Sequence, residues 1–194
     1  PEVAAECMER IFLPTVRAMN AEGRTFRGCL YFGLMLTKDG PKVIEYNCRF
    51  GDPETQVVLP LLDTDLLDIM EATAAGRLAE VDIRWKPGSA CCVILASGGY
   101  PKAYKKGLPI SGLDEKGQLP DGSAEVFHAG TKLEDGKYFT NGGRVLGLTA
   151  VAPTLEEAVA RAYAASERVS FEGMHKRLDI GARALQGPGG AGAC

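Results

Sequence analysis

Apolar residues recur at helical spacing along the first twenty positions. Ala4, Cys7, Met8, Ile11 and Phe12 fall on one face, which predicts an amphipathic helix over about 2–20, with Pro14 as the point where it would kink. The period then shortens. Residues 28–37 are apolar and rich in β-formers, Lys38-Asp39-Gly40-Pro41 reads as a turn, and β character resumes to Asn47. This predicts a hairpin over about 27–47. Helical spacing returns from Leu59 to Leu78, interrupted near Pro60, with Asp63 or Thr64 as cap and Gly76 near the end. Lys86-Pro87-Gly88-Ser89 breaks the pattern, and the domain boundary is placed there.

Beyond the break the texture is that of short strands. Ala90 to Ala96 is an apolar strand, Glu134-Asp135-Gly136-Lys137 a hairpin turn, and Asn141-Gly142-Gly143 a second tight turn. Residues 145–151 continue as β, with Gly147 a bulge or a close-packing point. Thr154 with Glu157 forms a capping box that opens a helix to about Val169. Its buried stripe is Leu155, Ala158, Val159, Ala162 and Tyr163. Residues 186–194 are rich in Gly and Ala and read as a disordered tail. The chain shows no internal repeat. The expected class is α+β, with a first domain over 1–87 and a mostly antiparallel β domain with one packing helix over 88–185.

Composition changes this picture little. The 194 residues are 45% hydrophobic and 24% charged, with 22 basic and 25 acidic residues and a net charge of −3. That balance gives no general attraction for nucleic acid. No apolar run reaches the length of a membrane span and no signal peptide is visible, so a cytoplasmic location is expected. Six cysteines (Cys7, Cys29, Cys48, Cys91, Cys92 and Cys194) form no C-x-x-C pair, and there are two histidines. Buried free thiols in a reducing compartment are expected rather than a zinc site.

The candidate chemistry lies where the hairpin ends. Side chains alternate on a strand, so Glu45 and Asn47 point to one side, and Arg49 joins them if the strand runs on. A carboxylate and an amide oxygen are hard ligands that suit magnesium, and a guanidinium beside them grips carboxylate or phosphate. The same pair also reads as a solvated strand face. An acid on a strand paired to a buried one favours the site. Further along, Lys137 and Arg144 flank the glycine turn on the two arms of an expected hairpin. They read as a phosphate cradle or as two solvated cations. His128 reads as a hydrogen-bonded residue at a strand end in preference to a general base. Gly98-Gly99-Tyr100-Pro101 is a turn with little bulk, and it lacks the spacing of a dinucleotide fingerprint.

Glu45-Tyr46-Asn47 followed by Arg49-Phe50-Gly51-Asp52-Pro53-Glu54-Thr55-Gln56 resembles the end of an ATP-grasp domain, and more narrowly the glycinamide ribonucleotide synthetase family. Ser97-Gly98-Gly99-Tyr100-Pro101, Val126-Phe127-His128-Ala129-Gly130-Thr131, Asn141-Gly142-Gly143-Arg144-Val145-Leu146 and Lys176-Arg177-Leu178-Asp179-Ile180-Gly181 resemble that family in the same order, over about residues 1–185. The resemblance implies an ATP-dependent ligation of glycine to 5-phosphoribosylamine through glycyl phosphate. ATP is then a co-substrate and Mg2+ or Mn2+ the cofactor, held by Glu45 and Asn47. Arg49, Asp52 and Glu54 are the catalytic candidates. Arg49, Gly51 and Asp52, with Lys137 and Arg144, are the substrate-binding ones.

Two departures qualify the resemblance. Many ATP-grasp enzymes carry a second metal-binding acid about twelve residues before the Glu of Glu-x-Asn, and here that position is Gly33. No glycine-rich nucleotide loop or nucleotide lysine precedes the strand. The expectation is therefore the carboxy-terminal portion of a longer enzyme, partnered by an amino-terminal part, with neither nucleic acid nor membrane as a partner. A non-catalytic folded module and another ATP-grasp carboxylate–amine ligase are the alternatives.

Overall fold

The computed structural model describes residues 2–186. The chain is α+β and divides into two compact units. One is built from the residues up to Asp52 together with Asp63–Arg84, the other from Pro53–Leu62 and the chain from Trp85 onward. The division near Trp85 lies close to the expected break, but Pro53–Leu62 belongs with the later residues rather than with the first 87. The expected tail, Gln186 apart, lies outside the described residues.

The first unit opens with α1 (Glu2–Cys7), a π-turn (Met8–Phe12) and α2 (Leu13–Ala21). The break expected at Pro14 takes the form of that π-turn. Proline has no N–H for the carbonyl one turn back, and a wider turn just ahead of it relieves the clash of its ring. Cys7 and Ile11 are buried, while Met8 is 46% exposed. Phe12 packs on Phe32 at 4.5 Å between ring centroids, and Phe32 on Tyr46 at 5.2 Å.

The hairpin is β1 (Tyr31–Thr37) paired antiparallel to β2 (Gly40–Asn47). β1 is not the buried strand the sequence implied. Met35 and Leu36 are more than half exposed, as is Ile44 on β2. α4 (Leu66–Ala75) starts one or two residues later than expected of its cap. The Asp65 carboxylate, not Asp63 or Thr64, accepts from the Leu67 N–H at 2.8 Å. Gly76 ends the helix at φ +71°, a conformation glycine adopts without strain.

In the second unit a three-stranded antiparallel sheet runs in the order β3 (Ser89–Ala96), β7 (Arg144–Ala152), β4 (Glu125–His128). β5 (Thr131–Glu134) and β6 (Lys137–Thr140) form a separate hairpin. α5 (Leu155–Ser166) lies on the sheet, with Ala158 and Ala162 fully buried. Small residues at that stripe let the helix approach Val93, Leu95, Leu146 and Leu148, which are also fully buried. The expected cap is present: Thr154 Oγ1 accepts from the Glu157 N–H at 3.2 Å. Gly147 is a close-packing point, since a Cβ there would lie 3.0 Å from Cys92 Sγ. The register shift of β3 and β7 falls instead between Leu95 and Ala96. The short α3 (Thr55–Val58) continues into a 3-10 turn (Leu59–Leu61), and α6 (Ala182–Leu185) ends the described chain.

Candidate functional site

In the first unit the site candidates sit on β2 and just after it. Glu45 faces Gly33, and Asn47 faces Tyr31, across the hairpin. Their side chains meet: Asn47 Nδ2 donates to Glu45 Oε1 at 3.1 Å. Glu45 is exposed, so burial does not force the acid to have a partner, contrary to the argument from a buried neighbouring strand. β2 ends at Asn47, and Arg49 does not continue the alternation. Its guanidinium donates to the Phe50 carbonyl at 3.1 Å instead. Gly51 is buried and Asp52 exposed in the turn that follows.

One feature of this face is invisible to strict alternation. The pairing shifts between Gly33 and Leu34, so Glu45 faces Gly33 while Val43 faces Leu34, and Ile44 is the extra residue of a β-bulge. Lys42, opposite Met35, is thereby brought to the face of Glu45 and Asn47. Without the bulge, three residues of separation would place it on the other face. An isolated glycine inside an apolar strand is the sequence signal that would have warned of this.

The oxygens of Glu45 and Asn47 are one carboxylate and one amide, both hard donors on an open surface. Among the described residues no group of three or more His, Cys, Asp or Glu side chains could hold a metal. A two-ligand oxygen set of this kind fits magnesium or manganese, which keep waters and phosphate oxygens in their shell.

In the second unit the glycine motifs come together. Ser97 is fully buried, and its Oγ donates to the Gly142 carbonyl at 2.7 Å while its N–H donates to that of Gly143 at 2.8 Å. Asn141 N–H donates to the Gly130 carbonyl at 2.6 Å. The two turns touch backbone to backbone, for a Cβ at Gly130 would lie 2.5 Å from Gly142 Cα and 2.5 Å from the Arg144 oxygen. Tyr100 lies against Gly143, where a Cβ would come within 2.1 Å of its ring. Three stretches far apart in sequence thus build one end of the β3–β7 pair, and Arg144 starts β7 there, partly buried. Ser97, whose role the sequence did not suggest, is what joins two of them.

Lys137 and Arg144 are not arms of one hairpin. β6 pairs with β5, and β7 lies in the other sheet. Lys137 follows the Asp135-Gly136 turn, whose φ angles are +47° and +73°, and β6 separates it from Thr140 by about 10 Å at the usual strand rise. Glu54 also belongs to this unit, where, just ahead of α3, its carbonyl accepts from the Val57 and Val58 N–H groups of that helix. His128 takes the structural role. Nε2 lies 2.9 Å from the Gly117 carbonyl, to which it donates, and Nδ1 lies 2.9 Å from Thr131 Oγ1. With both ring nitrogens engaged and the ring against Tyr138 at 4.8 Å, it ties β4 to a loop.

The last motif is pinned to α5. Tyr163 Oη donates to the Arg177 carbonyl at 2.9 Å and accepts from the Ile180 N–H at 3.0 Å. Arg177 and Asp179 form a two-pronged pair at 2.9 and 2.6 Å, and those hydrogen bonds hold the Asp179 carboxyl below the usual carboxylate range. Of the cysteines, Cys7, Cys91 and Cys92 are buried and Cys29 is partly so, while Cys48 is exposed. Burial pushes the Cys91 thiol up. No helix among the described residues is long and apolar enough to cross a membrane.

Residues 90–183 match the family model described as phosphoribosylglycinamide synthetase, C domain, and residues 1–55 that of phosphoribosylglycinamide synthetase, ATP-grasp (A) domain. A phosphoribosylamine–glycine ligase of Caldanaerobacter subterraneus is 51% identical over 177 residues, covering 91% of this chain and 41% of the relative. One of Synechocystis is 48% identical over 187 residues, covering 95% and 44%. The crystal structure of the Thermotoga maritima phosphoribosylamine–glycine ligase superposes with a TM-score of 0.79 at 37% identity, over 93% of this chain and 44% of that one. The biotin carboxylase domain of Hydrogenobacter thermophilus 2-oxoglutarate carboxylase shares the fold at a TM-score of 0.54 and 19% identity. The chain spans about two fifths of the length of the curated relatives it matches.

Proposed function

We propose, because the chain belongs to the phosphoribosylglycinamide synthetase family, that it forms part of an ATP-dependent ligase joining glycine to 5-phosphoribosylamine. ATP is the co-substrate, ADP and phosphate leave, and the place of action is the cytoplasm. The observation that carries this reading is the pair of oxygen donors, Glu45 and Asn47, hydrogen-bonded on one strand face immediately before the Arg49–Glu54 run.

Glu45 and Asn47 would hold Mg2+ or Mn2+. When bound, that ion would offset the charge that gathers on the phosphate oxygens as ADP departs. The remaining work is positioning. Arg49 steadies the glycine carboxylate and the acyl phosphate it becomes, through paired N–H donors. Gly51 contacts substrate through its backbone, and Asp52 or Glu54 orients the attacking amine. The amine then displaces phosphate from the acyl carbon. Arg144, at the edge of the glycine turns, takes the substrate's ribose phosphate, with Lys137 a second and more distant cation. Little covalent chemistry falls to these side chains, so most of the rate comes from geometry and electrostatics.

The test uses the full-length enzyme that contains this chain. Glu45→Ala should cut turnover by about a hundredfold or more with the fold intact, since Glu45 is exposed. Turnover unchanged at saturating magnesium would remove Glu45 from the metal. Equilibrium binding of ATP to the chain alone separates a partly competent fragment from a piece that needs the rest of the enzyme.

A further inference from the structure

We propose that Gly33 is a positioning residue for Glu45: the bare backbone of β1 is the surface over which the acid folds to reach Asn47. This deepens the reading of Glu45 and Asn47 as the metal's ligands and rests on it. Gly33 faces Glu45 across the hairpin, at the register shift. A Cβ built on Gly33 would lie 2.7 Å from Glu45 Cγ, 3.6 Å from Cδ and 3.5 Å from Oε1. Real Cβ contacts do not reach 2.7 Å, so one group must move. Oε1 is also the atom that accepts from Asn47 Nδ2. The side chain that would be displaced is therefore the one that holds the pair together.

Two further points support the assignment. Gly33 has no left-handed φ, whereas thirteen other glycines among the described residues do. Its backbone would accept alanine, so what glycine supplies here is space rather than conformational freedom. The position is also the one where the ATP-grasp resemblance implies a second metal-binding acid. Here a Cβ at residue 33 would meet Glu45 Cγ at 2.7 Å in its present rotamer, so one of the two must move.

The experiment is a double-mutant cycle on the chain, read by urea denaturation, together with Mn2+ titration followed by broadening of the Asn47 side-chain amide signal in NMR. Gly33→Ala should lower stability in the wild-type background and have no effect in the Glu45→Ala background, because the clashing atoms are gone. Gly33→Ala should weaken Mn2+ binding by about tenfold or more, the usual cost of disturbing a ligand's orientation. Gly33→Asp should weaken it too. Equal destabilisation by Gly33→Ala in both backgrounds overturns the proposal, as does tighter Mn2+ binding by Gly33→Asp. If the stability coupling is present but Glu45→Ala leaves the Mn2+ broadening unchanged, the positioning holds and the metal reading fails. If Mn2+ responds to Glu45→Ala and not to Gly33→Ala, the reverse is true.

Discussion

The contact between the two glycine turns makes a quantitative demand. Gly130→Ala adds one methyl group facing Gly142 Cα at 2.5 Å, Gly142 N at 2.8 Å and the Arg144 oxygen at 2.5 Å. Non-bonded carbon atoms settle at about 3.5–4.0 Å, so the turns must separate by about 1 Å. All three neighbours are backbone atoms and cannot swing aside as a side chain would. Overpacking of this kind costs about 1–3 kcal/mol, read as a lower urea midpoint of the chain. The Arg144 carbonyl is one of the atoms struck, so its own side chain moves with it. A displacement of about 1 Å in a positioning group costs on the order of a hundredfold in rate. The assay is kcat/KM for the phosphorylated amine in the full-length enzyme. Gly136→Ala is the control. Its φ is +73° and no atom lies within 4 Å of a Cβ there, so it should cost about 1 kcal/mol of backbone strain with activity unchanged. A Gly130→Ala enzyme with native kcat/KM and native stability refutes the idea that these turns place Arg144.

Arg144→Ala should raise KM for the phosphorylated amine about tenfold to a hundredfold, the worth of a charge-assisted hydrogen bond, and leave kcat nearly unchanged. A loss confined to ATP affinity in steady-state kinetics would count against the phosphate assignment. Tyr163→Phe should cost about 1–2 kcal/mol in urea denaturation, because two backbone groups of the last motif lose their shared partner. Acid should also loosen this motif. Asp179 is held below its ordinary value by hydrogen bonds from Arg177, so the stability it contributes is complete above the unfolded-state value of about 4 and is lost as pH falls through the folded one. Urea midpoints between pH 6 and pH 3 should therefore fall more for the wild type than for Asp179→Asn.

Much was legible along the chain because local rules sufficed. The Thr154 cap, the Asp135-Gly136 turn and the apolar stripe of α5 depend on residues within one turn of each other. The family resemblance lay in contiguous motifs, each short enough to be read as a string. The Glu45–Asn47 pair followed from the two-residue period of a strand alone.

Long-range pairing was not legible. Lys137 and Arg144 looked like arms of one hairpin because only seven positions separate them, yet β6 pairs with β5 and β7 crosses to the other sheet. β1 looked buried because it is apolar, but composition does not say which face is covered. The bulge at Ile44 reassigns Lys42 to the face of Glu45, and the shift becomes visible only once the partner strand is in place. Sequence by itself determined which residues are candidates for the chemistry, since residue type and short spacing are properties of the chain. Tertiary structure decided which of them share a face and what a side chain at residue 33 would meet, because steric exclusion acts between atoms that only folding brings together.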